Sequence, residues 1–211
     1  MKVLPDLQRW VEDLHDVEID LEVGAYIVDD AVRAAIPGAR PEIPEQLFVC
    51  EGDEVVEMAL YIDPRVLRRL ERDHPAHRLH QGNLESFCIA LEGVSHFVLV
   101  AWRTAVRRPV SALELELQAE VDKFIVAWSL LQAQGLPFAL TCTPLLNALF
   151  FRFQLHEGLE REEVRRYTIA NAAAWRFCRD LTRRFARDTT PRRIHRAARE
   201  FVRLGLADKL L

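Results

Sequence analysis

Lysine is nearly missing from this chain: it stands only at Lys2, Lys123 and Lys209, so 25 of the 28 basic residues are arginine. Alongside abundant alanine and leucine, that bias reads as the imprint of a GC-rich genome, and a bare count of arginines therefore carries no functional message. Long apolar runs are missing too. Phe97–Trp102 and Leu145–Phe151 fall far short of the roughly 18 to 20 residues that cross a bilayer, so no membrane span is expected. Cysteine occurs at Cys50, Cys88, Cys142 and Cys178, at spacings of 36 to 54 residues and with no CxxC pair. Neither a disulfide framework nor a zinc ribbon follows, and the four read as small buried hydrophobes. The stretch Met1–Trp10 has no apolar core and no small-residue cleavage site, so export is not expected and a cytoplasmic location is. The phosphate-cradling and nucleophile signatures GxGxxG, GxxxxGK[ST] and GxSxG are absent, as is HExxH, which removes the usual nucleotide-binding, hydrolase and zincin readings. No cofactor is expected.

What remains is a chain of 211 residues, half of them hydrophobic and 28% charged, which is the balance of a globular protein large enough to bury a core without staples. One domain over 1–211 is expected. The net charge of −4 hides an asymmetry: residues 1–160 carry 26 acidic and 14 basic side chains, whereas residues 161–211 carry 6 and 14. The front is thus −12 and the tail +8, a pattern of either a basic arm for an acidic partner or two parts that dock on each other.

Periodicity predicts a mostly helical α+β fold: a small N-terminal antiparallel sheet packed on a bundle that contains a long antiparallel helical hairpin. The acidic, β-rich part spans 1–72, the hairpin 83–135 and the basic helical part 143–211. Leu7, Trp10, Val11 and Leu14 mark a first amphipathic helix. The alternation of Val17, Ile19, Leu21 and Val23 with acids reads as a half-exposed strand. Leu47–Cys50 and Val55–Ile62 flank Glu51-Gly52-Asp53-Glu54 as a β-hairpin. Asp63-Pro64 opens a helix to about Arg72, and Asn83 caps one reaching about Ala105. Ser111 opens another through a Ser-x-x-Glu box, with Gly135 closing it. Further helices are expected from Thr143-Pro144, over Glu160–Arg187, and from Thr190-Pro191.

Three constellations are candidates for chemistry. In the predicted hairpin, Glu85, Glu92, His96 and Arg103 fall within roughly 40° of one another at 100° per residue. Glu116, Glu120 and Lys123 line a seam on the next helix. Glu92, His96, Glu116 and Glu120 are carboxylate and imidazole groups fit to hold iron, manganese or zinc. Folding about the short link pairs Arg103 with Glu114 or Glu116, His96 with Glu120 and Glu92 with Lys123, so an ion-pair seam is the expected use. His74, His77 and His80 have a spacing that a loop could gather around a metal, against the plainer reading of an exposed linker.

The third constellation is a pair of arginine ridges. Arg165, Arg176, Arg179 and Arg183 share a sector of one helix with Arg161 and Arg187, and Arg196 and Arg199 share a side of the next with Arg192 and Arg203. Guanidinium groups bind carboxylate and phosphate bidentately, so an acidic protein or a nucleic acid fits them, as does the chain's own acidic half. The leading expectation is a non-catalytic binding or regulatory protein that uses this basic C-terminal surface for an acidic partner. The alternative is a metal-dependent enzyme with its Glu/His site between the two long helices.

Overall fold

The computed structural model describes residues 3–52, 56–151, 160–185 and 191–211. The chain divides into two compact units, Met1–Glu12 with Val17–Val110 and Asp13–Asp16 with Ser111–Leu211. It is α+β and mostly helical, as expected.

The first unit begins with helix α1 (Val3–His15), which buries Val3, Leu7 and Val11. The alternating stretch after it is not a strand beyond β1 (Ile27–Val28). The cause lies on α1: the Gln8 amide donates to the Leu21 carbonyl at 2.7 Å and accepts from the Val23 N–H at 2.8 Å. A side chain thus satisfies the backbone groups that a ladder would have used. Helix α2 (Asp30–Ala35), which periodicity did not reveal, is capped by Asp29, whose carboxylate accepts from Val32 N–H at 2.9 Å. Strands β2 (Glu45–Glu51) and β3 (Val56–Ile62) pair antiparallel, with Leu47 opposite Leu60. β1 joins the other side of β3 in parallel, so the sheet is mixed and not purely antiparallel, in the order β1-β3-β2. Asp53 and Glu54 of the expected turn lie outside the described residues.

Helix α3 (Pro64–Arg72) starts as its Asp-Pro signal predicts, the Asp63 carboxylate accepting from Arg65 N–H. Helix α4 (Gln81–Ala105) is capped one turn earlier than expected, by His80 in place of Asn83. The imidazole accepts from Gly82 N–H at 3.1 Å while the Asn83 carboxamide accepts from His80 N–H at 2.9 Å, closing a reciprocal box. α4 packs on β2 and β3. A Cβ at Gly93 would stand 2.8 Å from Glu45 Cγ and 2.9 Å from Leu60 Cδ1, so glycine is what lets the sheet approach the helix. By length and composition α4 is apolar enough to cross a bilayer, a property that counting uninterrupted runs overlooks. Of its most apolar 18-residue window, 67% is buried inside the protein, the pattern of a core helix.

The second unit is built around α5 (Ala112–Ala133), which opens at Ser111 and ends before Gly135 at φ +81°, a left-handed position suited to glycine. Helix α6 (Phe138–Leu146) begins at Pro137 and carries Pro144 inside it, contrary to the expected start at Thr143-Pro144. Pro144 has no N–H to return to the preceding turn, and the chain passes into a π-helical turn at Asn147–Phe151. Helix α7 (Arg161–Phe185) lays a small-residue face, Ala170, Ala173 and Ala174, against α5. Helix α8 (Pro191–Arg203) meets α7 through Phe177 and Phe201, whose rings lie 4.1 Å apart, and α9 (Leu206–Lys209) ends the unit. Of the cysteines, Cys142 and Cys178 are buried as expected, but Cys88 is half-buried and Cys50 exposed, and none is in a disulfide.

Candidate functional site

Helix α7 owes its start to acids in its first turn, Glu162 and Glu163, and to the Glu163 carboxylate, which accepts from Glu160 N–H at 2.9 Å. With alanine, Cys178 and Leu181 committed inward, the opposite face is left to arginine. Arg161, Arg165, Arg176 and Arg183 are exposed, and Arg179 is about one-third exposed. From Arg161 to Arg183 the face runs 22 residues, about 33 Å at 1.5 Å per residue. Arg165 and Arg183 make no hydrogen bond or ion pair among the described residues. Arg176 donates to the Leu210 carbonyl. Arg179 reaches Asp180 at 3.1 Å and lies 4.4 Å over the Trp175 ring. Arg166 turns the other way, to within 3.6 Å of Glu116. Arg187 lies outside the described residues.

The α8 ridge has a different use. Arg199 donates to the Asp13 carbonyl at 3.1 Å and stands 3.3 Å from the Asp16 carboxylate. Arg203 donates to the carbonyls of His15 at 2.9 Å and Asp16 at 3.2 Å. These carbonyls end α1, where no helical N–H follows, so the two guanidiniums supply the missing donors and oppose the negative end of the helix dipole. Arg196, highly exposed, pairs with Glu200 at 3.0 Å across one helical turn. One sequence pattern therefore covers two roles: α7 faces out, and part of α8 grips the turn at 13–16.

Behind these helices lies a buried polar chain that sequence reasoning missed. His15 Nε2 sits 2.9 and 2.8 Å from the two oxygens of Asp122, and both side chains are fully buried. The Gln118 amide donates to Asp122 at 2.9 Å and accepts from Lys209 Nζ at 3.2 Å, and Lys209 also reaches Glu114 at 3.0 Å. The i, i+4 spacing of Gln118 and Asp122 is visible in the sequence, but the arrival of His15 and Lys209 from the two chain ends is not. Cys178 is sealed inside and its thiol is pushed well up by burial, with Glu120 and Asp122 adding to the rise, so it is no nucleophile. Nearer the surface, Ser129 and His195 lie 3.2 Å apart, with the imidazole held below its usual range by burial, then by Arg199, against a smaller upward pull from Asp13.

The proposed Glu/His ligands divide between the units. In the first, His96 Nδ1 lies 3.7 Å from a Glu45 oxygen, and Glu92 is one turn back on α4. In the second, Glu120 accepts from Lys123 at 2.7 Å and Glu116 has Arg166 beside it. The histidine segment is exposed at His77 and Arg78, as expected of a linker, but not at its ends. His74 is buried, its Nδ1 accepting from Ala76 N–H at 3.3 Å and its Nε2 lying 3.4 Å from Asp6. Its ring is 5.6 Å from that of His77, while both nitrogens of His80 are occupied, by Gly82 N–H and by Asp73 at 2.9 Å.

The first unit also carries a cleft of about 400 Å³ that the sequence did not announce, lined by Asp30, Arg33, Tyr61, Asp63, Arg65 and Arg68 among others. Arg33 lies 3.7 Å over the Tyr61 ring and donates to Asp30 at 2.9 Å, and the Tyr61 hydroxyl donates to the same oxygen at 2.8 Å. Burial, then the bond to Asp30, pushes the phenol up, and the Arg65 hydrogen bond holds the Asp63 carboxyl down. On this wall Arg33 is paired with Asp30 and Arg65 with Asp63.

Fold and site together define a mostly helical α+β protein with an outward arginine face and a buried polar network behind it. The family models, the curated proteins and the solved structures with which the chain was compared contain no match to it.

Proposed function

We propose that this chain is a non-catalytic binding protein of the cytoplasm, and that the arginine face of α7 takes an acidic partner. The observation that carries the reading is the exposure of Arg161, Arg165, Arg176 and Arg183 along one side of one helix, where the exposed acids among the described residues of the same segment are Glu160, Glu162 and Asp180. Guanidiniums in a row raise the local potential and match carboxylate or phosphate geometry bidentately. The metal-enzyme alternative has less support, because Glu120 already holds the Lys123 ammonium and Glu116 lies beside Arg166.

The test separates the exposed arginines of the ridges from the two that hold the 13–16 turn. Replacing Arg165, Arg176, Arg183 and Arg196 together with glutamine should shift elution from a heparin column to clearly lower salt and leave the melting temperature within a few degrees. Replacing Arg199 and Arg203 should do the reverse. Unchanged heparin retention in the first variant would refute the proposal.

A further inference from the structure

We infer that the acidic partner is a protein helix, amphipathic, which lays its apolar stripe on Trp175 and Phe151 and its carboxylates on the arginines at either end of α7. This deepens the reading of α7 as a binding surface and rests on it.

The arginines are not evenly spread. Arg161 and Arg165 stand at one end of the face, and Arg176, Arg179 and Arg183 at the other. The 11 residues from Arg165 to Arg176 advance about 16 Å, and the exposed side chains facing out midway are the small Thr168 and Ala172. The Thr168 hydroxyl is turned back, donating to the Val164 carbonyl at 2.7 Å. A nucleic-acid strand brings a phosphate every few ångströms, about 3.4 Å per nucleotide along a duplex axis, and over this gap several would go unmatched. A helix advances at the same rate as α7, so carboxylates three turns apart on a partner meet both arginine groups at once. Small residues at the middle allow the two backbones to approach.

The flank of this gap is aromatic. Phe151 is 68% exposed and its ring stands 5.8 Å from that of Trp175 at 81°, edge to face. Arg179 covers Trp175 at 4.4 Å. Trp175 is therefore already met by Phe151 and Arg179, which suits a protein anchor better than a bare platform for stacked bases. Aromatic and arginine side chains around a small-residue centre, with charge at the ends, are the make-up of a protein interface hot spot.

Fluorescence anisotropy on the full chain tests this with three labelled probes: an amphipathic peptide as long as α7 with glutamates on one flank and leucines on the other, a polyglutamate of equal length, and a single-stranded oligonucleotide of similar charge. The amphipathic peptide should bind tightest and lose about tenfold or more with Phe151→Ala, a change at an exposed site whose effect on folding is checked by the melting temperature. It should lose as much with Arg165→Gln plus Arg183→Gln, whereas polyglutamate should respond to the arginine changes alone. Tighter binding of the oligonucleotide overturns this inference but leaves the binding reading standing. Equal binding of both peptides, unmoved by Phe151→Ala, overturns it as well. Binding of none of the three brings down the binding reading itself.

Discussion

Replacing Lys209 with methionine keeps the aliphatic stem and removes the ammonium from a place where it is fully buried, bonded to Glu114 at 3.0 Å and to Gln118 at 3.2 Å. The Glu114 carboxylate, 8% exposed, would then keep its charge in a medium that solvates it poorly, without the ammonium bonded to it. Breaking a buried pair from one side costs about 3 to 5 kcal/mol. The lower end applies here, because Glu114 lies near enough to the surface to draw in water. At roughly 2 to 4 °C per kcal/mol for a chain of this size, about 3 kcal/mol lowers the melting temperature by roughly 6 to 12 °C. The cost should be recovered in part by adding Glu114→Gln, since a neutral amide is cheaper to bury than a carboxylate. Calorimetry of the wild type, both single variants and the double variant measures this coupling. A drop below about 2 °C for Lys209→Met, or strictly additive effects in the double variant, would refute the view that the members of the network depend on one another.

Gly93→Ala should destabilise the first unit by about 1 to 3 kcal/mol, despite alanine's advantage in helices, because the new methyl meets Glu45 and Leu60 at under 3 Å; a stabilised variant in urea unfolding would contradict the packing described. His74 and His195 are both held below the usual imidazole range, chiefly by burial. The unfolded chain therefore takes up their protons first, so their contribution to stability is whole above about pH 6.5 and is lost as pH falls through the folded values. His195→Gln should accordingly flatten the loss of melting temperature between about pH 7 and 5, and a slope unchanged or steeper would count against it. A thiol reagent on the native protein should label Cys50 promptly and leave Cys142 and Cys178 untouched until unfolding, burial having pushed the Cys142 thiol to about 12; four thiols should count in unfolded, unreduced protein.

Local signals were the legible ones. Asp63-Pro64, Ser111 and Gly135 mark helix ends through groups within a few residues of each other, and the structure places those ends accordingly. The signals that misled were local too, but were outweighed from a distance. The alternation after Asp16 looked like a strand, yet the Gln8 amide claims its backbone groups. Thr143-Pro144 looked like a helix start, yet the chain was already helical from Phe138. His80 took the cap ascribed to Asn83 because Asn83 is fully buried and donates to the carbonyls of Asp73 and Arg78. At the candidate site, the arginine periodicity of α7 was readable because an amphipathic helix writes its faces into its own sequence. The hold of Arg199 and Arg203 on the 13–16 turn was not, because their targets lie more than 180 residues away.

The distinction between those two sets of arginines is the centre of the account, and arginine footprinting with phenylglyoxal, read by mass spectrometry with and without the amphipathic acidic peptide, addresses it directly. Arg165, Arg176 and Arg183 should react quickly in the protein alone and be shielded by the peptide, while the reactivity of Arg199 and Arg203, held by the 13–16 turn, should be the same in both states. Equal shielding of Arg165 and Arg199, or shielding confined to residues outside α7, would contradict the assignment of this face as the binding surface.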